Sequence, residues 1–240
     1  MSNPAPAPPP CWICGDPATT AEHRLKRSDA KASFGVLTQA RPGYLHSDAA
    51  RNQKVQTLGS PLLSFKSPLC APCNNERTQP HDRAWETLAT ALRAQRAALS
   101  EGAYMRANRI FCCGARRGML NVHLFFVKLF LGMIVDGDAA FDRAAFSRAI
   151  LSGTAHPNVY LKLGLFDGLN GRVVAGASNL EVDYYAADGR PAFAAWLYEP
   201  GSGIAVMVMY AADGEQRQGL DGAWHPKLST TRLLISSFND

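Results

Sequence analysis

The chain is organised around CAPCNNERTQPHD at residues 70–82, a stretch that matches an earlier one, CWICGDPATTAEH, at residues 11–23. Each stretch contains two cysteines separated by two residues. This spacing lets both sulfurs of a turn face one ion, and two such turns complete a tetrahedral zinc site. We therefore predict one structural Zn²⁺ held by the four paired cysteines, which are Cys11, Cys14, Cys70 and Cys73.

Positive charge is concentrated in the first part of the chain. The 240 residues carry a net charge of +5, from 25 Lys and Arg against 20 Asp and Glu. Residues 1–100 contain 12 basic and 7 acidic residues, whereas residues 101–240 contain 13 of each. A basic surface beside a metal site suits a polyanion, and nucleic acid, DNA in particular, is the partner we expect. A solvated basic surface without a partner is the alternative.

The N-terminal residues 1–10 are half proline and are predicted to be a disordered tail, because they have nothing to bury. They have neither the basic start nor the apolar centre of a signal peptide. We therefore expect a cytoplasmic protein that does not enter a membrane. Its six cysteines should stay reduced, which favours metal binding over disulfides.

The middle of the chain predicts loops followed by helices. Residues 24–69 are rich in glycine and proline, so we expect no clear helix there and some strand near residues 62–65. An apolar stripe at helical spacing predicts a helix over 79–99, with Thr78 as its cap.

A nearly apolar run predicts a second helix from about residue 120 to residue 135. It is short for a membrane span and contains Asn121, His123 and Lys128, so we expect a buried core helix. A third, short helix is expected over 140–151. The adjacent Cys112 and Cys113 cannot easily bind one tetrahedral ion together and are expected to be small buried apolar residues.

After Pro157 the sequence alternates between short apolar runs and turn residues such as Asp188-Gly189. This spacing predicts an antiparallel sheet. The expected strands are 159–166, 172–177, 181–186, 192–198, 204–210 and 232–238.

Polar residues suited to catalysis flank the paired cysteines. Glu22 and His23 lie between the two pairs, and Asn74 follows the second pair directly. This order of motifs resembles the HNH endonuclease superfamily, in its branch with four zinc-binding cysteines. The resemblance covers residues 11–90, under half of the chain. It implies a ββα-metal fold, in which the Glu-His pair lies on a strand and the second cysteine pair opens the following helix.

The resemblance also implies a role for each polar residue. Glu22 and Asn74 would hold a catalytic Mg²⁺ or Mn²⁺, and His23 would activate water. Oxygen ligands suit these hard ions, and a neutral imidazole can accept a proton near pH 7. Asn52, the only asparagine between residues 24 and 73, is the expected brace of the His23 ring. Neighbours on a strand point to opposite faces, so Glu22 and His23 can act together only through a kinked backbone or a water.

The chain departs from the family pattern at two places. Residues 24–26, Arg-Leu-Lys, stand where many members have two apolar residues and a proline. Asn74 stands where a histidine is common, and His81 is the alternative metal ligand. We expect six basic residues near the motif to contact phosphate, with a solvated surface as the alternative; they are Arg24, Lys26, Arg27, Lys31, Arg77 and Arg83.

Together these features predict an α+β protein in three parts: the tail at 1–10, an HNH-like zinc module at 11–100, and helices with an antiparallel sheet of unknown role at 101–240. The predicted function is metal-dependent cleavage of phosphodiester bonds in DNA, and RNA stays open as a substrate. The alternative is a zinc-stabilised nucleic-acid-binding or adaptor protein that does not cleave. A third hypothesis assigns the main function to the C-terminal part, which would bind a protein or a ligand. The remaining histidines, which are His46, His123, His156 and His225, are expected to be structural or at the surface.

Overall fold

A computed structural model describes residues 7–45, 51–167, 175–228 and 231–238 of this chain. These residues form a mixed α+β protein with a cluster of four cysteines near its N-terminus. The α-helices are α1 (Arg27–Phe34), α2 (Gln79–Gln95), α3 (Ala115–Asp136) and α4 (Arg143–Ser152). The strands are β1 (Gly43–Leu45), β2 (Gln53–Val55), β3 (Tyr104–Arg106), β4 (Val159–Leu165), β5 (Gly176–Ala177), β6 (Glu181–Tyr184), β7 (Pro191–Gly201), β8 (Ile204–Ala211) and β9 (Arg232–Ser237).

The larger sheet has the strand order β3-β9-β4-β8-β7-β5, and β6 also pairs with β7. Most neighbouring strands are antiparallel, as the alternating runs predict. The exception is β9, which runs parallel to β4 with Leu163 opposite Ile235. A purely antiparallel sheet was therefore the wrong expectation. β9 follows β8 in the chain but pairs with β4 on the side away from β8, and local turn signals do not encode such a crossover.

The core forms around α3, which packs against α2 on one side and α4 on another. The Trp85 ring of α2 stacks on Phe125 of α3 at 5.6 Å between centroids and meets Phe126 edge-on at 4.8 Å. Tyr198 of β7 completes this cluster, 5.6 Å from Phe126. Aromatic pairs at these separations add to the apolar area that each ring buries. Residues from both 11–100 and 101–240 thus belong to one continuous core.

Helix α1 forms in the segment where the sequence predicted none, and a buried carboxylate explains it. Asp29 in the first turn of α1 is fully buried. It accepts hydrogen bonds from Trp85 Nε1 and Tyr198 Oη, both at 2.7 Å, and forms an ion pair with Arg93. These partners come from α2 and β7. Tertiary contacts therefore fix this helix, and its local sequence signal is weak.

Helix α2 confirms the predicted helix, since a 3₁₀ turn at Arg96–Ala98 extends it almost to residue 99. The predicted capping role of Thr78 is wrong. Its hydroxyl instead donates to the Cys73 carbonyl at 3.0 Å, within the π-helical turn Pro72–Arg77 that precedes α2. A cap would use the hydroxyl oxygen as an acceptor, and that oxygen instead accepts from Lys128 Nζ at 3.3 Å.

Helix α3 confirms the predicted core helix and is longer than expected. It is long and apolar enough to cross a membrane, but 78% of its most apolar window is buried by the rest of the protein. This burial is consistent with the core helix of a soluble protein. The short helix expected over 140–151 is also confirmed, as α4.

Three local expectations have other outcomes. The segment 62–65 forms a 3₁₀ turn at Pro61–Leu63 and then a single bridge from Ser64 to His23, so only a trace of strand is present. Of the strand expected at 172–177, residues 172–174 lie outside the described residues, and β5 is the described part. Cys112 and Cys113 are exposed, so the prediction that they are buried is wrong. They lie in the turn just before α3 begins, where no core residue is required.

Three buried histidines meet in the core, and each is held in its neutral form at pH 7. The His123 Nε2 atom accepts from the His156 N–H at 3.2 Å, and the His156 carbonyl accepts from His225 Nε2 at 2.8 Å. The Nδ1 atoms of His156 and His225 accept from the N–H groups of Asn158 and Lys227. Each ring thus uses one nitrogen as an acceptor, which requires the neutral form. His46, the fourth histidine without a motif, lies outside the described residues.

Candidate functional site around the cysteine cluster

The four paired cysteines come together, as their spacing predicts. Their sulfur atoms all lie within 4.8 Å of one another, so they could hold a metal ion such as zinc. The first pair lies on a turn in which the Gly15 N–H donates to the Cys11 carbonyl at 2.8 Å. Gly15 has φ +83°, a conformation that glycine adopts without strain. The second pair lies at the start of the π-helical turn before α2.

The distances between the sulfur atoms fit the zinc ion predicted for this cluster. A zinc tetrahedron with bonds of about 2.3 Å places its sulfurs about 3.8 Å apart. Cys14 and Cys70, one from each pair, have their sulfurs 3.5 Å apart. The backbone N–H of Cys73 also points at the Cys70 sulfur at 3.4 Å, a contact that favours a thiolate.

A short antiparallel ladder joins residues 20–24 to residues 63–69. The Leu69 N–H donates to the Thr20 carbonyl at 2.8 Å, and the Phe65 N–H donates to the Glu22 carbonyl at 2.8 Å. The Arg24 N–H closes the ladder on the Leu63 carbonyl at 2.9 Å. The Glu-His pair therefore lies on an extended segment. The segment hydrogen-bonded to it, residues 63–69, runs directly into the second cysteine pair.

Asn74 connects the second cysteine turn to this ladder. Its amide nitrogen donates to Thr20 Oγ1 and to the Ala21 carbonyl, both at 3.0 Å. The two donors of the amide are thereby used, and its oxygen is the atom that can bind a cation. The structure thus brings Asn74 against the residues that directly precede Glu22 and His23.

His23 is half-buried and lies on the same ladder. Its Nδ1 atom is 3.5 Å from the Ser64 hydroxyl. Burial, and then the positive charge of Arg27, lower the pKa of His23 below its ordinary value. The ring is therefore neutral at pH 7, which is the state that a general base requires. The expected brace, Asn52, is exposed in the connection between β1 and β2 with φ +58°.

Glu22 is directed inward and is paired with a lysine. Its side chain is nearly buried, and its Oε1 atom lies 2.9 Å from the Nζ atom of Lys128 in α3. The fully buried Lys128 also contacts Asp82 Oδ1 at 2.9 Å and Thr78 Oγ1 at 3.3 Å. Burial alone would lower the pKa of Lys128, but the two carboxylates outweigh it and raise that pKa. The ammonium group therefore supplies the positive charge that Glu22 needs.

His81, the alternative metal ligand, is buried beside α3. Its Nδ1 atom lies 3.2 Å from Asn121 Oδ1, and its Nε2 atom has no hydrogen-bond partner among the described residues. Burial lowers the pKa of His81 to about 4. The structure thus pairs His81 with Asn121 of α3.

Of the six residues predicted to contact phosphate, three have side chains that already contact other groups of the protein. Lys26 is paired with Asp82 and Glu86 at 3.2 and 3.6 Å. Arg24 lies 4.0 Å from Asp136, and Arg77 donates to the Cys73 sulfur at 3.3 Å. The other three side chains are exposed; they are Arg27, Lys31 and Arg83.

Sequence reasoning did not identify Lys128 or Ser64 as neighbours of the motif. A charge inside an apolar helix was the signal for Lys128, because a buried ammonium requires acidic partners. Ser64 gave no signal, since its position depends on the ladder.

No protein-family model matches this chain, and neither the curated proteins nor the solved structures show a significant similarity to it.

Proposed function

We propose that this protein is a metal-dependent endonuclease of the HNH type, with a structural Zn²⁺ on its four paired cysteines, that cleaves phosphodiester bonds in DNA. One observation carries the proposal. Asn74 follows the second cysteine pair directly, and its amide is bonded at 3.0 Å to the segment that leads into His23. A base and a metal ligand that are far apart in sequence would thus be held in register by the zinc cluster.

His23 is the proposed general base. It is neutral because of burial and the nearby Arg27 charge, so it can take a proton from water at pH 7. The Ser64 hydroxyl, 3.5 Å from Nδ1, would help to orient the ring. A divalent cation at this site would supply positive charge at the leaving oxygen, and the amide oxygen of Asn74 would be among its ligands.

A second candidate is a nucleic-acid-binding protein that keeps the zinc module and does not cleave. The contact between Glu22 and Lys128 favours it. Lys128 already neutralises the carboxylate that the resemblance assigns to the catalytic metal. In the nuclease, Glu22 would have to reach the cation through a water or share its charge with the ammonium group.

Cleavage of supercoiled plasmid separates the two candidates. The nuclease is expected to nick DNA with Mg²⁺ or Mn²⁺ and to stop when these ions are omitted, while the zinc content of the protein stays constant. Measuring zinc in the same samples prevents loss of the structural ion from being mistaken for loss of the catalytic one. DNA binding without nicking under every metal condition would favour the second candidate.

A further inference from the structure

A cavity of about 240 Å³ lies between helix α1, the β1–β2 pair and the segment 175–179. The ladder supplies two more parts of its wall, at residues 24–25 and 62–63, and α3 supplies Met133. The residues of the proposed catalytic site, which are Glu22, His23 and Asn74, are not part of the wall. The cavity is therefore a separate feature of the same region.

The pairing of β1 with β2 shows which of their side chains face the cavity. Gly43 is directly opposite Val55, and both belong to the wall together with Leu45. Successive side chains of a strand point to opposite faces, so Tyr44 and Lys54, which are opposite each other, point away from the cavity. The strands therefore contribute only apolar surface to this side.

The rest of the wall is also apolar. Half of its sixteen residues are Leu, Val, Phe or Met. Arg24 is its one charged residue, and the guanidinium already lies 4.0 Å from Asp136. Such a wall favours an apolar occupant over a polar one. The cavity is smaller than the roughly 300–1,000 Å³ of sites for drug-sized ligands, so it suits one or two apolar side chains.

Solvent can reach the cavity at two of its apolar residues. Phe34 and Leu62 belong to the wall, and 43% and 39% of these residues are exposed. Val36, two residues beyond Phe34, is 72% exposed. Exposed apolar side chains grouped around a concave wall are typical of a surface that binds another protein.

The charge of this surface indicates which kind of protein would bind. The described residues 24–45 and 51–63, which form most of the wall, include seven basic residues and one acidic residue. The acidic residue, Asp29, is fully buried and paired with Arg93. Five of the basic residues are exposed; they are Arg27, Lys31, Arg41, Arg51 and Lys54. An acidic partner would therefore meet complementary charge here.

Helix α1 carries two of these cations on the face that reaches the cavity. Arg27, Lys31 and Phe34 are spaced four and three residues apart, and residues at this spacing lie along one face of a helix. Phe34 belongs to the wall, so this face combines an apolar contact with positive charge. On the other side, the exposed Glu181 follows the segment 175–179, so the acidic groups of a partner would lie towards α1.

We propose that this cavity and the face of α1 beside it bind an acidic segment of a partner protein, which inserts an apolar side chain into the cavity. Nucleic acid would supply negative charge, but its bases would bring polar edges against a wall whose one charged side chain is already paired with Asp136. The proposal goes beyond DNA cleavage and does not depend on it.

Selection from a library of random peptides tests the proposal on the full chain. Peptides that combine Asp or Glu with Leu, Ile, Phe or Met are expected to be enriched. The strongest of them, made synthetically, is then titrated against purified variants. Leu62→Asp puts a carboxylate at the exposed edge of the cavity and should weaken this peptide about tenfold or more, as loss of an interface anchor does. Leu151→Asp is the matched control, because Leu151 is 48% exposed on α4, which contributes no residue to the wall.

A second pair of variants tests the charge. Lys31→Glu should weaken the peptide about 2- to 10-fold at low salt and less at high salt, whereas Arg109→Glu, exposed in the turn after β3, should not. The proposal is overturned if no peptide is enriched, if the enriched peptides lack acidic residues, or if Leu62→Asp binds as tightly as the wild type. Loss of DNA binding in Leu62→Asp, with no acidic peptide selected, would assign the cavity to nucleic acid instead. Since no step uses cleavage, a failure to nick plasmid DNA would overturn the nuclease and leave this surface assigned.

Discussion

The ammonium nitrogen of Lys128 lies 2.9 Å from the Glu22 carboxylate, inside the core. This ion pair joins helix α3, which contains Lys128, to the extended segment that contains the Glu-His pair. The same nitrogen is 2.9 Å from Asp82. A second ammonium, that of Lys26, lies 3.2 Å from Asp82, so Lys128 is the cation on which Glu22 depends and its removal leaves that carboxylate uncompensated.

Loss of the lysine should be far more harmful than loss of one acid. Lys128→Met leaves Glu22 without a cation and Asp82 with Lys26 alone, and it should lower the free energy of unfolding by about 3–5 kcal/mol. Glu22→Gln keeps the contact between Lys128 and Asp82 and should be milder. Urea unfolding measures both, with the exposed Lys66→Met as a control expected to change stability by less than about 0.5 kcal/mol. Equal stability of Lys128→Met and wild type would show that the lysine is not a buried counter-ion.

The cysteine cluster predicts one zinc ion per chain. Structural zinc supplies about 10–16 kcal/mol of folding free energy in isolated zinc-finger peptides, so Cys70→Ser should lose the ion and unfold at much lower urea concentration. Cys112→Ser is the control, because Cys112 is exposed and outside the cluster. Elemental analysis of both variants and the wild type is the measurement. A zinc-free wild type, or full zinc in Cys70→Ser, would contradict the assignment.

The proposed base and metal ligand should fail in different ways. His23→Ala should lower the cleavage rate about 10²- to 10⁴-fold at every Mg²⁺ concentration, as loss of a general base does. Asn74→Ala should also raise the Mg²⁺ concentration needed for half-maximal rate. Asn75→Ala, the exposed neighbour, should have neither effect. A large loss in His81→Ala with none in Asn74→Ala would transfer the metal ligand to His81.

The three core histidines predict a loss of stability in mild acid. Burial lowers the pKa of His156 to about 4 and lowers those of His123 and His225, so the folded protein binds fewer protons than the unfolded chain does. Stability is therefore complete above the unfolded pKa of about 6.5 and falls as pH drops towards 4, by up to ~3 kcal/mol for His156. His81, with a pKa of about 4, acts in the same direction.

Urea unfolding between pH 7.5 and pH 4.5 measures this dependence. His156→Leu should be less stable at pH 7.5, because the Asn158 N–H loses its acceptor, but it should show a shallower decline with acid. Stability that stays constant over this range in the wild type would contradict the neutral histidine cluster.

Binding to nucleic acid should depend on salt through the exposed cations near the motif. Each phosphate contact adds about 0.9 to the slope of log affinity against log salt on duplex DNA. Arg27→Ala should reduce that slope by roughly one contact, whereas the exposed Arg109→Ala, in the turn after β3, should leave it unchanged. No detectable binding of DNA or RNA at low salt would remove both proposed functions together.

Sequence patterns predicted the elements whose signal is local. The apolar period predicted α2 and α3, and the paired spacing predicted that the four cysteines meet. Their sulfur atoms lie within 4.8 Å of one another. They missed features that depend on distant partners. Helix α1 is fixed by the contacts of Asp29 with Trp85 and Tyr198, and β9 reaches β4 by a crossover.

The candidate site follows the same rule. The adjacency of Asn74 to Cys73 could be read directly from the chain, whereas its contact with the Ala21 carbonyl depends on the fold. The orientation of Glu22 towards Lys128 depends on how α3 packs, which no short motif encodes. The sequence predicts Asn52 as the brace of the His23 ring, because it is the only asparagine between residues 24 and 73, but the position of Ser64 beside that ring depends on the ladder.

The buried carboxylate of Asp29 also determines how the cysteine module can be used in engineering. One of its three partners is Tyr198, which belongs to β7, and the same hydroxyl accepts from the Lys26 N–H at 3.0 Å. A graft of residues 11–100 into another protein would therefore separate Asp29 from a donor that only the large sheet supplies. Residues 11–100 are therefore not an independent folding unit that can be transferred alone, and a working chimera would have to include β7.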